Sequence, residues 1–515
     1  MNEKSIYSEI ILSKTGVQIP VLQNGKTVDS RYDPERDSLR LLEQIPADTN
    51  FLIVIGIASG VFIQTVLENK KNIFILAVEK SEADLEFLKQ LPSVKKLADE
   101  KRVSLCSLEE LENKIIELYV PAFYGNLEVI EQRGWTLENK DCLESISKII
   151  NKAVGIVSAD FSVQSHFGKL WHHNIISNIK NLESSNTKES DFEFPLDKTA
   201  VIVAAGPTLD TTIKTILTAR EQFYVIATDT ALSILLSYKI FPDAVVSIDG
   251  QNVSNVHFIH NEKSSFSNTL FLFDLLANSS AVNQVIANNG KLCFFTSGHP
   301  LCEYLNTHYS LGLPKLFSGA GTVTITAVDF AIKAGFESII TAGADFAYSN
   351  GKPYAKGTYL DRLYNQKTNR MENIHKQFSS LEFRTELLPK DKGFTTQILE
   401  AYRMSFENYL QNNALSFSKE NNLYNIKCNS DKNKISFTTN LNKPDGSFII
   451  NDLLKTYSSK DSNAIFDSIF DLKESDISLL PLISWLRNHD NKERKNFSFY
   501  YKEALSICQN LGGNL

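Results

Sequence analysis

The 515-residue chain is 43% hydrophobic and carries 60 acidic against 53 basic residues, a net charge of −7. That is apolar material for large cores and for roughly three domains at about 150 residues each, and it leaves no basic footprint for sequence-independent nucleic-acid binding, which rests on Lys and Arg neutralising phosphates. The six cysteines are scattered, with no CxxC and no His pair at zinc-finger spacing, which predicts a reducing cytoplasm and no metal centre.

The start, MNEKSIYSEI, carries acids and lacks the apolar core of a secretory signal. The most apolar run, FLIVIGIASGVFIQTVL at 51–67, is 17 residues broken by two glycines, Ser59 and Gln64, so no membrane span is expected. It reads as strand, turn and helix, and a second strand follows in NIFILAVE. This βαβ unit has Gly56 and Gly60 at its turn and an acid, Glu79, about 20 residues on, where ribose hydroxyls are often held. Its Gly-x-x-x-Gly spacing lacks the full dinucleotide fingerprint. A Rossmann-like packing domain is therefore expected over 1–140, with a bound nucleotide or S-adenosylmethionine as the alternative.

Residues 141–194 show helical spacing and end in the polar run ESSNTKESD, a helical connection and linker. Within it His172 and His173 are adjacent, so on a helix they point about 100° apart, which favours packing over a shared metal.

A second α/β unit begins at Thr199. AVIVAAG, FYVIATD, DAVVSIDG, TLFLFD, KLCFFTSG and SIITAGAD read as strands that alternate with helices such as PTLDTTIKTILTAR and VTITAVDFAIKAGF. Such alternation predicts a mostly parallel sheet with helices on both faces, and ligands at the carboxyl ends of its strands. Those ends carry Gly206, Asp229, Asp249, Asp274, Ser297-Gly298-His299 and Asp345. The central domain is placed at 195–390. Beyond it, FTTQILEAYRMSFENYLQNNA sets Ile398, Tyr402, Phe406 and Tyr409 at helical spacing, so a mainly helical C-terminal domain is expected over 391–515.

The turn VIVAAGPTLD holds Gly206, Pro207 and Thr208 between strand and helix. Glycine would let a ligand approach the backbone, proline at the first helical position loses no needed donor, and the helix start would attract a phosphate. Because the proline removes one donor, the turn suits a nucleotide with few phosphates. Asp229 and Asp249, at neighbouring strand ends, could bind ribose hydroxyls or base amino groups, or magnesium if a phosphate completes its shell. Ser318, Gly319, Gly321 and Thr322 form a second small-residue turn before an apolar helix, another anion seat. The loop GADFAYSNGKPYAKGTYLDR crowds Asp345, Tyr348, Tyr354, Lys356, Tyr359 and Arg362 beyond a buried strand, where phenols could donate to a departing phosphate and cations offset its charge.

VIVAAGPTLD, DAVVSIDGQ, SGAGTVTITAVDFAIKAG and IITAGADFAYSNGKPYA, in this order, resemble the Maf (motility-associated factor) glycosyltransferases and the 6-hydroxymethylpterin diphosphokinase-like proteins. The match covers about 195–390, and the flanking parts follow the three-part Maf layout. The resemblance implies transfer of a nonulosonic acid of the pseudaminic or legionaminic type from a CMP-activated donor to Ser or Thr of flagellin, in the cytoplasm and without a required cofactor. Its central domain is similar to bacterial CMP-sialic-acid sialyltransferases, whose loop D-F-Y-x-N-G-x-x-Y-A corresponds to Asp345–Ala355 with one insertion. That would put Tyr354 and Tyr348 on the leaving phosphate, the nucleotide near Gly206, Pro207, Thr208, Asp229 and Asp249, and the donor near Ser318 to Thr322. His375, then His299, are the candidates for the downstream histidine base of those enzymes, and Asp345 is an alternative. Two other readings remain: an ATP- and magnesium-dependent diphosphokinase acting on a pterin-like alcohol, and a non-catalytic flagellin-binding factor.

Overall fold

A computed structural model describes residues 4–513 except 184–186, 188, 260–265, 320, 350–351, 372, 391–392, 415, 421–422, 430–433, 436, 438–444 and 491–494. The chain forms two compact units, one of Met1–Lys169 with Leu454–Leu515 and one of Leu170–Leu453.

The first unit holds an antiparallel hairpin, β1 (Tyr7–Leu12) with β2 (Gln18–Leu22), and a parallel sheet. The sheet runs β5-β4-β3-β6, from β3 (Thr49–Ile55), β4 (Phe74–Glu79), β5 (Val103–Ser107) and β6 (Asn126–Glu131). Phe51–Ile55 and Phe74–Val78 are buried almost completely, and a strand covered on both faces can afford no polar alternation, which is why these runs are continuously apolar. The tail helices Leu480–His489 and Phe497–Gly513 pack on the short helix Pro121–Tyr124, with the Phe123 and Phe497 rings 4.4 Å apart. The end of the chain therefore completes the N-terminal unit, whereas a separate domain from 391 was expected.

The second unit is built on an eight-stranded sheet of order β11-β10-β9-β8-β7-β12-β17-β16. Six strands are parallel: β7 (Thr199–Val203), β8 (Phe223–Thr228), β9 (Ala244–Ser247), β10 (Leu270–Asp274), β11 (Lys291–Phe295) and β12 (Ser338–Ala342). A small sheet of β13 (Tyr348–Ser349), β14 (Leu388–Lys390) and β15 (Gly393–Thr395) follows. The hairpin of β16 (Ser416–Glu420) and β17 (Leu423–Lys427) joins β12 antiparallel, inside a stretch expected to be helical. Its alternation, with Tyr424 and Ile426 buried and Asn425 and Lys427 exposed, is a strand's period of two. From β7 the chain steps outward to β11 and then returns to β12 on the other side of β7. The topological switch point, where doubly wound sheets open a crevice, thus lies between β7 and β12.

The helix Val323–Ala334 is buried almost all round. Its Asp329 is only 2% exposed and accepts from the Phe317 N–H at 2.7 Å, the Tyr409 hydroxyl at 2.5 Å and Lys333 Nζ at 2.9 Å, the bonding a buried charge requires. All six cysteines are buried. Among the described residues no helix is long and apolar enough to cross a membrane.

Candidate functional site

Each helix that follows a parallel strand of the second unit starts at the carboxyl edge with N–H groups in need of an acceptor. The Leu209–Thr218 helix takes a carboxylate from across the switch point. Asp345 accepts the Thr208 N–H at 2.8 Å and the Thr208 hydroxyl at 2.5 Å. The turn is then sewn to the loop beyond β12: Ala204 N donates to Ala342 O, Gly206 N to Gly343 O and Ala355 N to Ala205 O, each at 2.8 Å. A side chain at Gly206 would put its Cβ 2.4 Å from the Gly343 carbonyl and 2.5 Å from the Asp345 carboxylate. The glycine is thus required by the chain's own packing, and Asp345 holds the place at Thr208 where a ligand phosphate was expected. With both oxygens bonded at a helix start, Asp345 is placed as a cap and not as a free base.

The next helix starts are also filled from within. Asp229 Oδ1 accepts the Thr230 N–H at 2.6 Å, Asn278 accepts from Ala281 N at 2.9 Å, and His299 Nδ1 accepts from Leu301 N at 3.2 Å. The Val323–Ala334 helix differs: Thr322 supplies no side-chain cap, and among the described residues no other side chain accepts from its first N–H groups. The loop before it places Gly319 and Gly321 at φ of 55° and 87°, left-handed backbone that favours glycine, and nothing lies within 4 Å of where a Gly321 side chain would point. Of the two expected anion seats, the one at Gly206 to Thr208 is occupied by the protein, whereas at the other the space beside Gly321 is open and Thr322 gives no side-chain cap, with Gly319 packed against Ile325 and Ser405.

The acids expected to cluster do so over β8 and β9. Asp229 is 2% exposed, with Oδ2 accepting from the Ser247 hydroxyl at 2.7 Å and Oδ1 also from the Thr230 hydroxyl at 3.0 Å. Asp249 accepts the Gln251 N–H at 2.9 Å; burial pushes its pKa up, with Asp229 adding to the rise. The loop beyond β12 runs across to them. Lys356 N donates to Asp210 at 2.9 Å and Ser233 to the Gly357 carbonyl at 2.9 Å, which carries Tyr354 and Tyr359 along the strand ends. Burial pushes the Tyr354 phenol up to about 12, with Tyr359, Tyr348, Asp229 and Tyr402 contributing. Tyr354 and Tyr348 therefore share one neighbourhood with Asp229, and both remain protonated donors at neutral pH.

The residue that sequence reasoning missed is His257, at the end of a 3₁₀ turn, Asn252–His257. Its ring lies edge-on to Tyr359, with centroids 4.8 Å apart at 83°, and the charges of Asp229 and Asp249 act on it. The signal available was its place eight residues beyond Asp249 in DGQNVSNVH. Tyr402 was noted for helical spacing alone, yet it contributes to the electrostatic surroundings of Tyr354.

The other histidines fall elsewhere. His375 is exposed in the first turn of Ile374–Glu382, although its neighbour Ile374 packs into the small cluster that includes Tyr354. His299 is buried against Trp171, and its pKa is pushed down to about 3 by burial and by His172. His172 is buried and His173 exposed, the opposed faces expected of neighbours on a helix. Among the described residues no group of three or more His, Cys, Asp or Glu is placed to hold a metal ion. In the first unit Glu79 accepts from Tyr7 and the Ile57 N–H at 3.1 Å each, and from the Trp135 indole. Asp29 takes the Ser59 N–H at 2.9 Å, so both the ribose acid and the helix start of that glycine turn are engaged by the protein itself.

Residues 173–351 match the family described as 6-hydroxymethylpterin diphosphokinase MptE-like. Across its whole length the chain has the fold of a Maf glycosyltransferase from Magnetospirillum magneticum AMB-1, with a TM-score of 0.53, 12% identity and 87% of that chain covered. The chain carries an MptE-like domain in a Maf-type fold. The resemblance carried by the four motifs is met on both counts, and the MptE-like domain contains the Gly206, Asp229, Asp249 and Ser318 turns. Two uncharacterised proteins of Treponema pallidum (strain Nichols) are also similar. One is 36% identical over 152 residues, 29% of this chain, and the chain spans 54% of it. The other is 30% identical over 172 residues, 31% of this chain and 81% of that protein, and the two belong to one family.

Proposed function

We propose that the protein is a glycosyltransferase that moves a nonulosonic acid, of the pseudaminic or legionaminic type, from a CMP-activated donor to Ser or Thr hydroxyls of flagellin in the cytoplasm. The observation that carries the reading is the carboxyl edge of the MptE-like domain, where one helix start at Thr322 without a side-chain cap shares an edge with the half-buried phenols around Tyr354 and the buried Asp229. A leaving CMP develops charge on a single phosphate. A helix N-terminus and protonated phenols stabilise such charge without a metal, because their dipoles are oriented before the reaction begins. The Maf-type fold of a protein described as a glycosyltransferase supports the same reading. No cofactor is assigned.

The test is CMP release from CMP-pseudaminic or CMP-legionaminic acid with and without flagellin, together with the mass of the flagellin product. Release that depends on flagellin, with a matching mass increment, is expected; a folded protein that releases no CMP from either donor overturns the reading.

The family description favours a second reading, an ATP- and magnesium-dependent diphosphokinase acting on a pterin-like alcohol. It needs Asp229 and Asp249 as metal ligands, but Asp229 spends both oxygens on Thr230 and Ser247. Chelator-sensitive transfer of diphosphate from ATP would establish it in place of the first.

A further inference from the structure

The acceptor hydroxyl of such a transfer must lose a proton, and the resemblance pointed to His375 or His299 for it. Neither is placed for the task. His299 commits Nδ1 to the Leu301 N–H, and its ring is buried against Trp171. His375 stands on an exposed helix turn. Of the remaining described histidines of this unit, His172 is buried, His173 is exposed, and His308 stacks on Tyr304 with centroids 5.2 Å apart.

His257, like His299, is 7% exposed and has one buried ring nitrogen, Nδ1, with no hydrogen-bond partner among the described residues. It differs in standing against Tyr359 and between carboxylates, where His299 has only His172 and Trp171. Its turn packs on the helices Asp229–Ser237 and Ser279–Ala287. The groups that face it are Asp229 from the first helix, Asp249 from the end of β9, and Tyr359 and Arg362 from the helix Tyr359–Lys367; the Ser279 helix offers no titratable side chain. Arg362 also donates to the Val256 carbonyl at 3.4 Å, which fixes the turn next to the ring.

We propose that His257 is the base that accepts the proton of the acceptor hydroxyl, an inference that rests on the glycosyl-transfer reading. The acceptor oxygen forms its bond to the anomeric carbon of the donor. The bond from that carbon to the CMP phosphate oxygen breaks, and its electron pair leaves on the phosphate, which Tyr354 meets as a hydrogen-bond donor. The proton passes to the imidazole, and the imidazolium so formed is stabilised by the carboxylates of Asp229 and Asp249 before it returns the proton to water. Burial, the largest influence on His257, keeps the ring neutral at working pH, and the two carboxylates oppose it. His299, buried beside His172 and facing no carboxylate, shows the outcome without that opposition.

The test compares wild type, His257→Asn and Asp249→Asn in the full chain, reading kcat for CMP release with flagellin, CMP affinity, thermal stability and the pH dependence of kcat. His257→Asn is expected to lower kcat by about 10²- to 10⁴-fold while CMP affinity is retained. The acidic limb of the profile, where a protonated base stops working, should disappear. Asp249→Asn should leave the limb present but move it to lower pH, because one carboxylate no longer favours the imidazolium. A merely structural histidine would not move that limb. Near-normal kcat in a folded His257→Asn overturns the assignment, and if that variant fails to fold, an unmoved limb in Asp249→Asn does so. A wild type that releases no CMP overturns the transfer reading itself, a result told apart by the wild-type control.

Discussion

Asp345 and Tyr354 lie nine residues apart in one loop, and the structure gives them separate tasks. Asp345 joins two loops across the switch point by holding Thr208, whereas Tyr354 stands among phenols over Asp229. Asp345→Asn should therefore destabilise the second unit by about 1–2 kcal/mol, the usual cost of a lost helix cap, with kcat nearly unchanged in the protein that remains folded. Tyr354→Phe should do the reverse, leaving the urea midpoint in place and lowering kcat by roughly 10²-fold. Two variants that lose activity and stability together would show that the loop has a single role. Asp274 supplies a residue-scale test of pH. It is completely buried at the end of β10, and burial raises its pKa to about 7 against the pull of Ser297. A folded-state value above the unfolded one means that the native protein binds the extra proton, so stability falls as pH rises from about 4 to about 7. Urea midpoints between pH 5 and 8 should show that decline, and Asp274→Asn should make it shallower, the remainder coming from Glu79 and Asp29, whose pKa values burial raises to about 7 and about 6.

At the scale of elements, the carboxyl edge is a row of helix starts, most of them satisfied by carboxylates, an amide or an imidazole from the chain. The Val323 helix departs from that rule. Thr322→Asp would place a preferred capping residue there, and the expected outcome is opposed in sign: stability rises by about 0.5–1 kcal/mol, while CMP affinity falls by roughly tenfold as the new carboxylate repels the phosphate. Calorimetric titration and thermal melts on the same variant check both signs, and unchanged CMP affinity would remove the phosphate from this seat. This row of starts also marks what was legible in the sequence. The strands β7 to β12 and the acids at their ends follow from the alternation of apolar runs with helices. Three features did not. Gly206-Pro207-Thr208 reads the same whether its donors face a ligand or Asp345, because the partner is 137 residues away in the chain. His257 sits in a short 3₁₀ turn, where no period announces which side chain faces inward. The hairpin β16–β17 was hidden for a related reason: five-residue strands following a 17-residue helix leave too little alternation to override a helical reading.

At the scale of the molecule, the chain crosses from one unit to the other and comes back, so its two ends share a unit. Sequence order conceals this, since composition does not change where residues 454–515 begin to pack against Phe123 and Tyr124. The buried thiols turn that division into a measurement. Cys106, Cys142 and Cys508 belong to the first unit, and Cys293, Cys302 and Cys428 to the second. Each thiol is shielded from reagents in the native state and becomes reactive only when its surroundings open. Mass-resolved labelling along a urea ramp should therefore count two sets of three, with Cys508 reacting in step with Cys106 despite the length of chain between them. The cysteines that first spoke only of a reducing compartment become built-in clocks, one trio for each half of the molecule.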